Sequence, residues 1–325
     1  MPRSLAKPQQ PVAVAKRFPK TLLKKNADGD FSILNGWEMA AANTLKANAK
    51  QISSAGYATK TWYNATVPGT VLTTLVNQGV YPNPYFGLNN LYIPDSLARM
   101  DWWYRANFEL PKEKGNKQVW LLFKGINYNA QIWLNGKRIG EINGAFKRGR
   151  FNVTNHLLKG NNTLAVHILP TNNPGIPHEE SPSAGQGPNG GKLALDGPTF
   201  ISSEGWDWMP GIRDRNIGIW QDVCLSFTGA VTITDPQVVS DLDLPDTTRA
   251  KLNIKTKLYN DSKVLQQVTV SGKIEKISFE RKASLKPQQS TLVSFSSEDF
   301  TQLIIKNPRL WWPNGYGRPE LYHLQ

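Results

Sequence analysis

Gly205-Trp206-Asp207-Trp208-Met209-Pro210-Gly211-Ile212-Arg213-Asp214-Arg215-Asn216-Ile217-Gly218-Ile219-Trp220 is the densest chemical constellation in this 325-residue chain. If residues 206–208 run extended, the two indoles project from one face and Asp207 from the other. The rings then anchor the strand while the acid reaches into a polar space. Packing is the expected role of Trp206 and Trp208, because large aromatic side chains are most often buried. An ion pair of Asp207 or Asp214 with Arg213 or Arg215 is the plain structural reading of the acids. For Asp207 the stronger expectation is ligand contact. A carboxylate accepting from sugar hydroxyls makes charge-assisted hydrogen bonds of roughly 1.5–3 kcal/mol, and aromatic faces offer flat contact to pyranose rings.

Outward from this stretch, short β-branched and aromatic runs predict strands at Val119-Trp120-Leu121-Leu122-Phe123, at Ala130-Gln131-Ile132-Trp133-Leu134, over 163–169 and over 219–227. Asn135-Gly136 tolerates positive φ at both central positions of a type I′ turn, so a hairpin should join 132–134 to 137–139. A short helix is expected over 70–76, after Pro68-Gly69 and before Gly79. Nine of the eleven tryptophans lie between residues 31 and 230, marking one domain. Beyond residue 230, Val, Ile and Lys alternate, with strands expected at 238–241, 251–258, 267–274 and 291–295. Residues 170–198 hold six prolines and six glycines without hydrophobic periodicity. They read as a long loop, of the kind that serves binding or stays disordered.

Composition narrows the function classes. With 39% hydrophobic residues the chain can bury a core, and no run approaches the roughly 18 apolar residues of a membrane-spanning helix. The lone Cys224 closes no intrachain disulfide, and His156, His167, His178 and His323 lack the short spacing of a metal site, so no metal is expected. The net charge of +13 is 38 basic minus 25 acidic residues, and it is densest in residues 1–30, with seven basic and two acidic. Lys16, Arg17, Lys20, Lys24 and Lys25 read as a solvated, disordered tail, and no nucleic-acid-binding motif accompanies them. Residues 11–15 are too short for the apolar core of a secretion signal.

The opening stretch resembles the end of the sugar-binding jelly roll of glycoside hydrolase family 2. The likeness is strongest to the branch of exo-β-D-glucosaminidases, β-mannosidases and mannosylglycoprotein endo-β-mannosidases. Further segments agree in order: Val67-Pro68-Gly69-Thr70, Asn83-Pro84-Tyr85-Phe86-Gly87-Leu88-Asn89-Asn90, Asp101-Trp102-Trp103-Tyr104-Arg105, Gly125-Ile126-Asn127-Tyr128-Asn129-Ala130 and Trp133-Leu134-Asn135-Gly136. Asn307-Pro308-Arg309-Leu310-Trp311-Trp312-Pro313-Asn314-Gly315-Tyr316-Gly317 resembles the closing part of the domain that follows.

The resemblance implies an all-β chain: a basic tail (1–30), a galactose-binding-like jelly roll (31–229), and an immunoglobulin-like sandwich (230–325) that lacks a last strand and exposes an edge. In the family a (β/α)8 barrel then follows and holds both catalytic glutamates, roughly 5–5.5 Å apart for retention of configuration. This chain stops before a barrel, so no catalytic residue is expected in it; Glu179 and Glu180 read as a solvated pair. The implied role is that of a pocket wall, with Asp207, and more weakly Asn89 and Asn90, touching substrate. Asp214 and Arg215 are expected to be structural. The implied partners are a β-linked glucosaminide or mannoside and a catalytic barrel in cis or trans, with no cofactor, nucleic acid or membrane. A free-standing lectin and a ligand-free structural sandwich are the competing readings.

Overall fold

The computed structural model describes residues 19–87, 89–115, 117–172 and 212–325. The chain divides into two compact units, Met1–Phe227 and Thr228–Gln325. It is an all-β protein, and each unit is taken by itself below.

The first unit holds β1 (Leu22–Lys25), β2 (Phe31–Leu34), β3 (Trp37–Ala41), β4 (Tyr63–Asn64), β5 (Trp102–Glu109), β6 (Gln118–Phe123), β7 (Asn129–Leu134), β8 (Lys137–Asn143), β9 (Gly149–Asn152), β10 (Asn161–Leu169) and β11 (Val223–Thr228). One sheet runs β1-β2-β11-β6-β9 and the other β4-β3-β5-β10-β7-β8. Side chains from both sheets, among them Phe31, Ile33, Phe123, Trp37, Tyr104 and Val166, form one core. Each large apolar side chain taken out of water contributes about 1.5–3 kcal/mol. Five successive residues of β5, Trp102–Ala106, are buried, because a second cluster of Ala40, Ile52, Trp62, Trp103 and Ala165 covers the outer face of its sheet. The short helix α1 (Ala49–Ile52) belongs to that cover and is closed by a capping box between Asn48 and Gln51.

Local chemistry explains the clearest elements. Asn135 and Gly136 take φ of 52° and 78°, and the hairpin they close pairs β7 with β8. Helix α2 (Val71–Asn77) starts where the Thr70 hydroxyl accepts the Thr73 N–H, and its buried face is Val71, Leu72 and Leu75.

Two expectations are corrected. Leu22–Lys25 lie inside the stretch expected to be a disordered tail, yet they pair with β2, and Leu23, opposite Ile33, packs on the core. The strand expected over 219–227 begins only at Val223, because the backbone of residues 217–219 is bonded elsewhere.

The second unit holds β12 (Val231–Leu242), β13 (Arg249–Asn260), β14 (Gln266–Ile274), β15 (Ile277–Leu285), β16 (Ser290–Phe295) and β17 (Ile304–Lys306). One sheet runs β12-β13-β16, with β17 also on β13; β14 and β15 form a separate hairpin. Strand β13 alternates buried Leu252, Ile254, Thr256 and Leu258 with Lys251, Asn253, Lys255 and Lys257, the period-two pattern of a half-buried strand. Asn260 at its end is fully buried and donates to the carbonyls of Val264 and Leu285, at 2.7 and 3.1 Å.

Candidate functional site

The described part of the opening stretch, residues 212–220, is held to the first unit by its backbone. Gly69 N–H donates to Ile219 O at 2.8 Å and Val71 N–H to Ile217 O at 2.7 Å, while Asn127 and Gly218 exchange a pair of backbone bonds. Gly218 sits at φ 153°, and a Cβ there would stand 2.5 Å from Gly69 O and 2.7 Å from the Thr70 Cα. Only glycine permits this approach. The buried Asn127 amide donates to both Arg215 O and Asn216 O at 2.9 Å, which fixes the turn ahead of Ile217.

The charged side chains of this segment find different partners from those its sequence offers. Arg215, with its side chain 1% exposed, pairs with Asp95, whose other oxygen accepts from Arg99 at 2.6 Å. Burial lowers the pKa of Arg215, and Asp95 opposes that shift. One oxygen of Asp214 accepts the Thr70 hydroxyl at 2.6 Å and the other the Asn216 N–H at 2.7 Å. Desolvation raises its pKa to about 6 even though Thr70, Asn216 and Arg215 all favour the ionised form. Arg213 N–H donates to the Asn90 side-chain oxygen at 2.9 Å, and its guanidinium reaches Ile93 O at 3.4 Å.

These links tie residues 212–216 to the loop around 83–99. Asn89 is buried in that loop, and its amide donates to Asn83 O at 2.9 Å. Asn90 reaches across to Arg213 instead. The same loop exposes Tyr85, Phe86 and Tyr92. The geometry therefore brings Asn89 and Asn90 into one hydrogen-bonded body with residues 212–216. Asp207, the leading candidate for substrate contact, lies outside the described residues, as do Trp206, Trp208, Glu179, Glu180 and the long loop from 173 onward. Nearby, Phe146 meets the edge of Trp220 at 5.7 Å, and the Trp220 indole donates to Ala145 O at 3.0 Å.

Sequence reasoning did not single out Asp95, Thr70 or Asn127 as holders of this segment. Asn127 stood within a quoted motif, but nothing local to it says that its amide would span 88 residues to Arg215. Another concavity of the first unit, a groove of about 650 Å³ beside Lys20, Glu38, Asn107 and Glu109, is a weaker candidate. Glu38 there already serves Thr59 at 2.6 Å and Arg105 at 3.6 Å. Among the described residues no cluster of three or more His, Cys, Asp or Glu could hold a metal ion.

A two-sheet, eleven-stranded β-sandwich unit followed by a second, smaller β-sandwich unit is the class of architecture that the structure defines. The family is shown directly: the glycosyl hydrolase 2 galactose-binding domain-like family matches residues 37–221, and the glycosyl hydrolases family 2 domain matches 231–325. The chain belongs to glycoside hydrolase family 2. It is 30% identical over 310 residues to an exo-β-D-glucosaminidase of Streptomyces avermitilis and 34% identical over 308 residues to a mannosylglycoprotein endo-β-mannosidase of Lilium longiflorum. Those alignments cover 94% and 90% of this chain but 31% of each relative, so the chain spans about a third of their length. Among solved structures, an exo-chitosanase of Amycolatopsis orientalis superposes with a TM-score of 0.67 at 22% identity, covering 92% of this chain and 30% of that one. A β-D-mannosidase from Dictyoglomus thermophilum gives 0.61 at 28% identity, covering 89% and 33%.

Proposed function

We propose that this chain is the non-catalytic, substrate-side part of a family 2 β-glycosidase acting on a β-linked glucosaminide or mannoside. It builds one wall of a pocket whose acid/base and nucleophile reside in a (β/α)8 barrel. The observation that carries this reading is the match of both units, in order, to enzymes named for cleaving glucosaminides and mannosides, across only 31% of their length. The hydrogen bonds and ion pair that link residues 212–216 to the loop bearing Asn89 and Asn90 support it, since a pocket wall needs its side chains held in place. Asp207 is the residue that contacts a sugar hydroxyl, with Asn89 and Asn90, in the loop bonded to residues 212–216, as the lesser substrate contacts.

The purified chain should not turn over an aryl β-glucosaminide or an aryl β-mannoside, and steady turnover of either would overturn the proposal. In an enzyme that joins these units to a barrel, Asp207→Ala should lower kcat/KM for the natural glycoside by about 10- to 100-fold, the value of one lost hydrogen bond to a charged group. Unchanged kinetics would remove Asp207 from the pocket.

A further inference from the structure

Five Asn-Gly pairs occur in the chain, at residues 35–36, 135–136, 143–144, 189–190 and 314–315. In any such pair the glycine nitrogen has no neighbouring Cβ to shield it, so it attacks the asparagine side-chain carbon wherever the backbone is free to bring the two together. The fold therefore decides which of the pairs survives. Asn189 and Gly190 lie outside the described residues, and the other four are held in different ways.

Asn135-Gly136 is held most firmly. The Gly136 N–H donates to Ser53 O at 2.9 Å, and the Asn135 amide donates to His156 O and Asn162 Oδ1 while its oxygen accepts the Thr163 N–H. Asn143 is exposed, but the Gly144 N–H that would attack it is engaged by Tyr128 O at 3.1 Å. Asn35-Gly36 sits between the buried Ile33 and Trp37, with both of its residues at positive φ, and Thr21 lies so close over Gly36 that a Cβ there would strike its side chain and its backbone. Ring closure at Asn35 would need that space. Asn314-Gly315 has none of these restraints. Both residues are exposed, nothing stands within 4 Å of a Cβ on Gly315, and among the described residues no hydrogen bond holds the Asn314 side chain or the Gly315 N–H. They are the central residues of a turn whose closing bond runs from Tyr316 N–H to Pro313 O at 3.0 Å, with Gly315 at φ 86°.

We infer that Asn314 is a site of spontaneous covalent modification in the folded protein, converted to aspartate and isoaspartate, and that Asn35, Asn135 and Asn143 are protected by the contacts above. Base removes the proton from the Gly315 nitrogen, the nitrogen bonds to the Asn314 side-chain carbon, and the bond from that carbon to Nδ2 breaks as ammonia leaves. Water then opens the resulting cyclic imide. Cleavage at the side-chain carbonyl gives aspartate, and cleavage at the main-chain carbonyl gives isoaspartate. The balance is one water taken up and one ammonia released, with nothing oxidised or reduced. Either product puts a negative charge on the loop that carries Trp311, Trp312 and Tyr316. Isoaspartate also lengthens the main chain inside a tight turn, so that Pro313 O and Tyr316 N–H no longer face each other. The inference is independent of which sugar the protein meets and of whether the first unit contacts one.

The test incubates the full chain at mildly alkaline pH and physiological temperature, once folded and once in guanidinium chloride. Each Asn-Gly peptide is then followed by mass spectrometry after digestion, with aspartate and isoaspartate separated by their elution. In denaturant the peptides around Asn35, Asn135, Asn143 and Asn314 should convert at similar rates, because only local sequence then acts. In the folded chain Asn314 should convert within about threefold of its denatured rate, whereas Asn35, Asn135 and Asn143 should slow at least about tenfold, since each must wait for a local opening. Slowing of Asn314 to the extent seen at Asn135 would overturn the proposal. So would conversion of Asn35, Asn135 or Asn143 in the folded chain as fast as that of Asn314, because the contacts described above would then protect nothing.

Discussion

Two segments of this molecule look alike in sequence and fold oppositely. Residues 212–220 and 307–317 each combine tryptophan, glycine, asparagine and arginine with no regular hydrophobic period. In the first, Ile217 and Ile219 are 3% and 0% exposed and Arg215 is buried. In the second, Trp311, Trp312 and Tyr316 are 58%, 48% and 80% exposed. The difference lies in where the backbone groups go. Residues 217–219 spend theirs on residues 69–71 and 127, distant in sequence. Residues 307–317 are tied at their start by Asn307 N–H to Thr248 O, and from there close on their own neighbourhood: Trp312 N–H to Arg318 O, Tyr316 N–H to Pro313 O, and Arg309 N–H to the Tyr322 hydroxyl. Long-range bonds pull a segment into the core, whereas local bonds leave its rings in water. Aromatic content alone does not decide burial.

The sharpest test of this contrast sets Arg215 against Arg309. Arg215→Ala empties an almost fully buried site and leaves the partly exposed Asp95 with Arg99 as its remaining partner, so it should destabilise the first unit by about 2–3 kcal/mol in a denaturant titration. Arg309 is half exposed and pairs with Glu275 at 3.0 Å and Glu320 at 3.2 Å, so Arg309→Ala should cost less than about 1 kcal/mol. Equal losses would mean that the two segments are anchored alike.

Glycine offers a second comparison of somewhat smaller size. At Gly218 positive φ and the close carbonyl of Gly69 act together, so Gly218→Ala should cost about 2–3 kcal/mol and lower the thermal midpoint of the first unit. At Gly315, φ is 86° but nothing stands within 4 Å of a Cβ, so Gly315→Ala should cost about 1 kcal/mol, from backbone strain alone. A Gly218→Ala variant as stable as the Gly315→Ala variant would show that the approach to residues 69 and 70 relaxes freely.

How much of this was legible in the sequence follows the same division between local and distant causes. The Asn135-Gly136 hairpin, the helix after Thr70 and the alternation of β13 are local, and each could be read from its own residues. The start of β11 at Val223 could not, because what stops it is the pairing of residues 217–219 with partners about 90 to 150 positions earlier. Leu22–Lys25 look like part of a charged tail until Leu23 meets Ile33. At the candidate site the sequence suggested that Asp214 would pair with a neighbouring arginine. The fold gives Arg215 to Asp95, 120 residues away, and Asp214 to Thr70, 144 residues away.

Asp214 supplies the finest test, because it is a carboxylate that the anchored segment takes out of water. Its pKa is about 6 in the folded protein against an ordinary 3.8, with burial as the leading cause. Between these values the folded state binds the proton more tightly than the unfolded chain, so stability is highest below about pH 4 and declines as pH rises toward 6. The decline on this account is roughly 1–3 kcal/mol, and above pH 6 it levels off because both states are then ionised. Asp214→Asn removes the titration while an amide oxygen can still accept the Asn216 N–H, so the variant should lose the pH slope between 4 and 6. By pH 7 it should be as stable as the parent or about 1 kcal/mol more so. Urea unfolding of parent and variant at pH 4, 5, 6 and 7 measures the difference. Parallel curves across that range would mean that the Asp214 carboxylate is solvated in the folded state, and that residues 212–216 lie closer in character to the exposed C-terminal segment than their backbone bonds imply.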